Sequence, residues 1–190
     1  MKIRYIVAAL IIVIFGFIDA HGADQGEDLF VAAETAFVSG KDAEAENGYL
    51  ALMKTLPKDH PLVPYIRYHL GISQLRQGKS GEAVLNMTPY YLLRPDNPLV
   101  VRNYARALLL DKKYREAIDV YERVACLDER FEAEARYFIG NAKIALGDIP
   151  GGEEDLKMAK EWASEPALRT DAEKALADLE KERREMSAME

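Results

Sequence analysis

The 190 residues carry 25 Lys and Arg against 32 Asp and Glu, a formal charge of −7. A chain of this sign is repelled by a phosphate backbone, and no basic run longer than Arg183-Arg184 offsets that, so nucleic acid is not an expected partner. Three His and one Cys leave little material for a metal cluster and none for an internal disulfide.

The chain opens with Lys2 and Arg4, then an apolar run from Ile6 to Ile18, then Ala20, Gly22 and Ala23. This is the form of an export signal. As a helix the run spans about 20 Å, short of the roughly 30 Å of a bilayer core, so a signal peptide at 1–23 is expected to be cleaved, with Ala20 and Gly22 as the small pair for a cut before Ala23. Cutting after Ala23 fits nearly as well. An uncleaved segment anchored in the inner membrane is the alternative, and membrane contact is expected only through it. With no Cys after the run, lipid attachment there is excluded. The expected location is the periplasm, and without residues 1–23 the formal charge is −8.

From residue 26 onward one register recurs about every 34 residues: a small residue late in one apolar stripe, a turn, then Ala-x-x-x-aromatic or its equivalent. The first copy has Ala33, Gly40, Ala45 with Tyr49, and Pro57. The second has Leu70-Gly71, Gly78, Ala83 with Met87, and Pro95; the third has Tyr104-Ala105, Lys112, and Ala117 with Tyr121; the fourth has Gly140, Gly147, Leu156 and Ala159. Apolar residues at three- and four-residue steps on both sides of each turn predict two antiparallel helices per copy.

Each feature has a physical reading. Gly71 removes a side chain where the second helix, through Ala83, must approach, while Ile66, Leu70 and Leu75 face inward. Gly40, Gly78 and Gly147 occupy a turn that needs a left-handed residue, where Lys112 costs roughly 1 kcal/mol. Pro57 and Pro95 stop second helices. His60, Pro61, Leu62 and Val63 are surplus to the register and are expected to lengthen the next helix, with Pro61 in its first turn and Asp59 or His60 as cap. Cys126 falls in the second helix of the third copy, where a buried thiol is expected; pairing between molecules would need it exposed. After residue 166, Leu168, Ala172, Ala175, Leu176 and Leu179 form one stripe, expected to cover the last copy, with fraying beyond Leu179.

This pattern resembles the tetratricopeptide repeat, W-x2-L-G-x2-Y…A-x3-F…P. The resemblance implies an all-α solenoid of about four helix pairs, with repeats at about 26–59, 64–97, 98–131 and 133–166 inside a domain at 24–166. A C-terminal capping helix and tail at 167–190 would close it. The longer helix expected after the insertion is similar to repeats of bacterial envelope proteins such as the outer-membrane barrel assembly lipoprotein and the Tol-Pal coordinator.

In that family the first helices line a concave groove. Carried over, the groove positions are Phe30, Val31 and Glu34; Tyr65, Tyr68, His69, Ile72 and Arg76; Arg102, Asn103 and Arg106; and Tyr137, Phe138, Asn141 and Ile144. Of these, Tyr68, His69, Ile72, Arg102, Asn103, Arg106, Tyr137 and Asn141 are the candidate partner-binding set, because rigid rings supply contact area while Arg and Asn hold carbonyls or carboxylates. The bland reading is that the rings pack between helices and the arginines pair with neighbouring Glu. The repeats that clamp a C-terminal carboxylate use Lys, Asn and Arg at set positions. Only Asn103 matches; Tyr68, Ile72, Glu134 and Phe138 stand where other residues are required.

No catalytic constellation appears. His60 and His69 belong to no H-E-x-x-H pattern, no Gly-rich phosphate loop occurs, and Asn86-Met87-Thr88 lies in a second helix. The expected function is therefore a non-catalytic scaffold or adaptor of the bacterial cell envelope, binding a protein or peptide partner without cofactor or metal. The alternatives are a self-associating structural repeat protein, or an accessory subunit of secretion, pilus or cytochrome maturation machinery.

Overall fold

The computed structural model describes residues 23–189, with side chains from Gly26; the export-signal expectation for residues 1–23 lies almost wholly outside them. Nine α-helices are found among the described residues: α1 (Ala23–Val38), α2 (Asp42–Thr55), α3 (Val63–Arg76), α4 (Ser80–Leu93), α5 (Pro98–Leu110), α6 (Tyr114–Leu127), α7 (Glu132–Ala145), α8 (Ile149–Trp162) and α9 (Pro166–Ser187). A 3-10 turn, Glu129–Phe131, precedes α7. They form two compact bodies, one ending at Leu93 and one beginning at Arg94.

The turn inside every pair has one construction. Gly40, Gly78, Lys112 and Gly147 all have positive φ, 71°, 80°, 60° and 90°. The next amide in each case donates five residues back: Lys41 to Ala36, Lys79 to Gln74, Lys113 to Leu108, and Asp148 to Lys143. This is the Schellman closure, which satisfies carbonyls the helix end leaves open. Lys112 thus holds a conformation that the other three turns give to glycine.

Helix starts are equally legible. Asn97 accepts the amides of Leu99 and Val100, and Asp148 accepts that of Gly151. Pro64, Pro98, Pro150 and Pro166 stand in first turns, where a missing N–H costs nothing.

In the first body the core is Phe30, Ala33, Ala45, Tyr49, Leu52, Ile66 and Leu70, with Leu56 closing it below. Small residues set the helix spacing. A Cβ at Gly71 would lie 2.5 Å from Met87 Cγ and 3.0 Å from the Ala83 carbonyl, and one at Gly48 would lie 2.9 Å from Ala33 Cβ. In the second body Gly140 plays this part against Gly152 and Leu156, among the buried Val101, Ala105, Leu108, Tyr121 and Ile139.

Three expectations are corrected. The surplus residues do not lengthen α3, which begins at Val63. Two successive turns, His60 N–H to Pro57 O and Val63 N–H to His60 O, take them up, and His60 Nδ1 accepts the Leu62 amide. Cys126 is exposed rather than buried. The buried stripe of α6 is Ala117, Val120, Tyr121 and Val124, and at 100° per residue Cys126 falls about 200° round from Val124. Finally, α9 stays helical past Leu179 to Ser187, where Arg183 Nη2 donates to Glu153 Oε2 on α8 at 2.6 Å. Ala172 and Leu179 are buried beneath it as the stripe requires, while Leu168, Ala175 and Leu176 are half-buried.

Candidate interaction surfaces

In the first body, the first helices α1 and α3 bring together a cluster of rings centred on His69. Its imidazole lies 4.3 Å from the Tyr65 centroid, 4.7 Å from Phe37 and 5.6 Å from Tyr68; Tyr68 in turn is 5.0 Å from Tyr90. Arg76 covers Phe37, its guanidinium carbon 4.6 Å from the ring centre, a favourable cation–π geometry.

Beneath the rings lies a buried carboxylate. Tyr49 donates its hydroxyl to Glu34 Oε1 at 2.8 Å, and burial raises the Glu34 pKa although the Tyr49 and Tyr65 hydroxyls oppose the shift. His69 Nδ1 is 3.6 Å from the same carboxylate oxygen, beyond hydrogen-bond reach, and is buried without a partner among the described residues. Desolvation, with the Arg76 charge second, pushes the imidazole down to about 4, so it is neutral at pH 7. Tyr68 is buried and Ile72 half-buried; His69 serves as a packed ring.

In the second body α5 and α7 carry the rest of the candidate set. Arg102 donates to both carboxylate oxygens of Glu134, Nε at 2.9 and 2.8 Å, and its guanidinium lies 5.1 Å over Phe131. The arginine predicted to meet a partner's charge is thus held by an internal Glu, one repeat length further along. Arg106 is exposed and makes no ion pair among the described residues. Both arginines lie near Tyr121, whose buried hydroxyl has no hydrogen-bond partner among the described residues and whose pKa is raised, first by burial. The Tyr121 ring stacks on Phe138 at 5.2 Å, and Tyr137 meets Phe138 edge-on. Asn141 donates its side-chain amide to the Tyr137 carbonyl at 2.8 Å. Asn103, on α5, is half-buried.

The start of α7 and the α8–α9 connection enclose a cleft of about 900 Å³ in this second body. Phe131, Tyr137, Phe138 and Trp162 supply its apolar wall; Glu129, Glu132, Glu165 and Asp171 supply carboxylates. Its cation Arg130 is already bound to Asp128, Nη2 to Oδ2 at 2.6 Å. Trp162, the chain's single tryptophan, is 45% exposed there. It is the last residue of α8, turned outward because Ala163 after it is buried and Arg169 Nη2 donates to the Ala163 carbonyl at 2.7 Å.

Of this cleft the sequence reading names only Tyr137 and Phe138 as groove positions. Phe131, Trp162, Glu165 and Asp171 lie in a connection and at helix ends, where a repeat register assigns no groove position. A lone tryptophan at the end of the last paired helix was the available signal. Among the described residues no group of three His, Cys, Asp or Glu is placed to hold a metal ion, and no helix is long and apolar enough to cross a membrane.

No family model matches the chain, and no curated protein matches it in sequence. Solved structures do. YrrB, described as a TPR protein with an unusual peptide-binding site, superposes with a TM-score of 0.68 at 16% identity, over 78% of this chain and 74% of that one. A MamA fragment from Desulfovibrio magneticus gives 0.64 at 21% identity, over 88% and 97%. TTC0263, a thermophilic TPR protein of Thermus thermophilus, gives 0.55 at 19% identity, over 81% and 80%. These likenesses establish the fold: an all-α solenoid of tetratricopeptide helix pairs closed by a C-terminal helix.

Proposed function

We propose that this tetratricopeptide-fold protein is a non-catalytic scaffold exported to the bacterial cell envelope, where it binds a peptide or helix of a partner and assists assembly of an envelope complex. A protein–protein interaction role follows the fold of its structural neighbours, one of which is described by its peptide-binding site. The observation that carries it in this chain is the open cleft of the second body, where Phe131, Tyr137 and Phe138 meet polar side chains and a half-exposed tryptophan. Rigid aromatics supply binding area at little entropic cost. The export step rests on Lys2, Arg4 and the apolar run that follows them.

A photoreactive residue at position 106, introduced in intact envelopes, tests this reading. It should yield a discrete adduct, and separately Arg102→Ala with Arg106→Ala should weaken capture of that partner by the otherwise unmodified chain while helicity is retained. Absent adducts, or capture unchanged in the double variant, count against docking. A second reading, self-association, draws on Leu85, Leu92 and Leu93 of α4, each more than 60% exposed; light scattering that shows an oligomer insensitive to the arginine substitutions would favour it.

A further inference from the structure

We propose that the cleft between the start of α7 and the α8–α9 connection selects a cationic segment, one that places Lys or Arg beside a large apolar side chain. This rests on the docking reading and reverses the charge that the exposed arginines suggest for the partner. Two features of the second body support it. Arg130, the cation that lines the cleft, is held by Asp128, and Arg102 behind Phe131 is held by two short bonds to Glu134; the exposed Arg106 does not line it.

The carboxylates that remain are Glu129, Glu132, Glu165 and Asp171; Glu132 is half-buried, the other three are exposed, and none has an ion pair or side-chain hydrogen bond among the described residues. They border Phe131, whose ring already carries the Arg102 guanidinium, and Tyr137 and Trp162, whose faces accept both apolar side chains and cations; indole is the best cation–π acceptor among the side chains. A segment with an acidic side chain at this point would meet like charges within a Debye length of about 8 Å, whereas Lys or Arg would find opposite charge and a ring face together. The net charge of −7 adds long-range attraction of the same sign.

A displayed library of random dodecapeptides, selected on the purified full chain, tests the assignment. Enriched sequences should carry net positive charge with at least one aromatic, Leu or Met. Synthetic copies should shift the emission of Trp162, and Glu129→Lys with Asp171→Lys should weaken their binding at least tenfold. The neutral pair Glu129→Gln with Asp171→Asn should fall between.

Enrichment of acidic peptides would overturn the assignment while leaving docking intact. So would basic peptides whose affinity ignores both pairs of substitutions, or whose binding leaves Trp162 unmoved. Failure to enrich any sequence would also overturn it, and the adducts from position 106 then decide whether the docking reading falls with it.

Discussion

Replacing Gly140 by Ala tests how closely α7 and α8 pack. A methyl there would lie 2.9 Å from the Gly152 carbonyl oxygen, 3.0 Å from Leu156 Cγ and 3.2 Å from the Leu156 nitrogen. Two of these three atoms are backbone of the facing helix and cannot rotate away. Alanine gains about 1 kcal/mol over glycine in a helix interior. Overpacking costs about 1–3 kcal/mol, and a rigid backbone opponent places this site at the upper end. The expected net loss is therefore about 1–2 kcal/mol.

Gly71→Ala is the parallel case in the first body: a methyl there would lie 2.5 Å from Cγ of the buried Met87 and 3.0 Å from the Ala83 carbonyl oxygen, again backbone of the facing helix, so a similar loss of about 1–2 kcal/mol is expected. Urea unfolding measures both. Trp162 emission reports the second body, which contains Gly140, and circular dichroism at 222 nm reports both bodies. A midpoint for either variant equal to or above the parent's would refute the reasoning.

Four further outcomes follow from single sites. Below an ordinary imidazole value of 6.5, the unfolded chain takes a proton that folded His69 refuses until about pH 4. Stability should therefore fall by up to about 3 kcal/mol as pH drops between those values and level off below them; Glu34, shifted upward, binds its proton earlier when folded and opposes this at the acid end. Chemical denaturation across pH should show His69→Gln flattening that fall, and an unchanged profile would disprove the burial argument. Asp155, 1% exposed, accepts from Arg136 at 3.0 Å and Lys143 at 2.6 Å; Asp155→Asn should cost about 3 kcal/mol by stranding two cations, as read from the urea midpoint. Lys112→Gly should stabilise by up to about 1 kcal/mol, because φ of 60° suits glycine, and a lower melting temperature would contradict it. Cys126 should react with Ellman's reagent in the native protein at a rate near that of a free thiol; a need for denaturant would mean it is covered.

The fold was legible because its determinants are local and repeat. The glycines at 40, 78 and 147 mark a turn whose hydrogen bonds lie within six residues, and Lys112 could be placed there by register alone. Gly71 and Ala83 could be matched because each repeat presents the same small pair. What sequence could not show was which polar groups meet across repeats. Arg102 and Glu134 are 32 residues apart, and any of several acidic residues could have met that arginine.

Exposure was hard to read for the same reason. Cys126 looks like a small core residue until the phase of the α6 stripe is fixed by Tyr121 and Val124. Likewise Tyr68 and His69 occupy groove positions in the register, yet their neighbours Phe37, Tyr65 and Tyr90 fill the space around them. The insertion before α3 became a loop because its backbone closed two turns on Pro57 and His60 instead of continuing the helix upstream.

The most direct measurement of the docking account is an amide chemical-shift map of the second body on titration with a library-selected cationic peptide. Shifts should concentrate at 129–138, across the 3-10 turn and the start of α7, at Trp162, and in the first turns of α9. Shifts confined to the outer surface of α6 around Cys126, with Trp162 and the start of α7 unmoved, would contradict it.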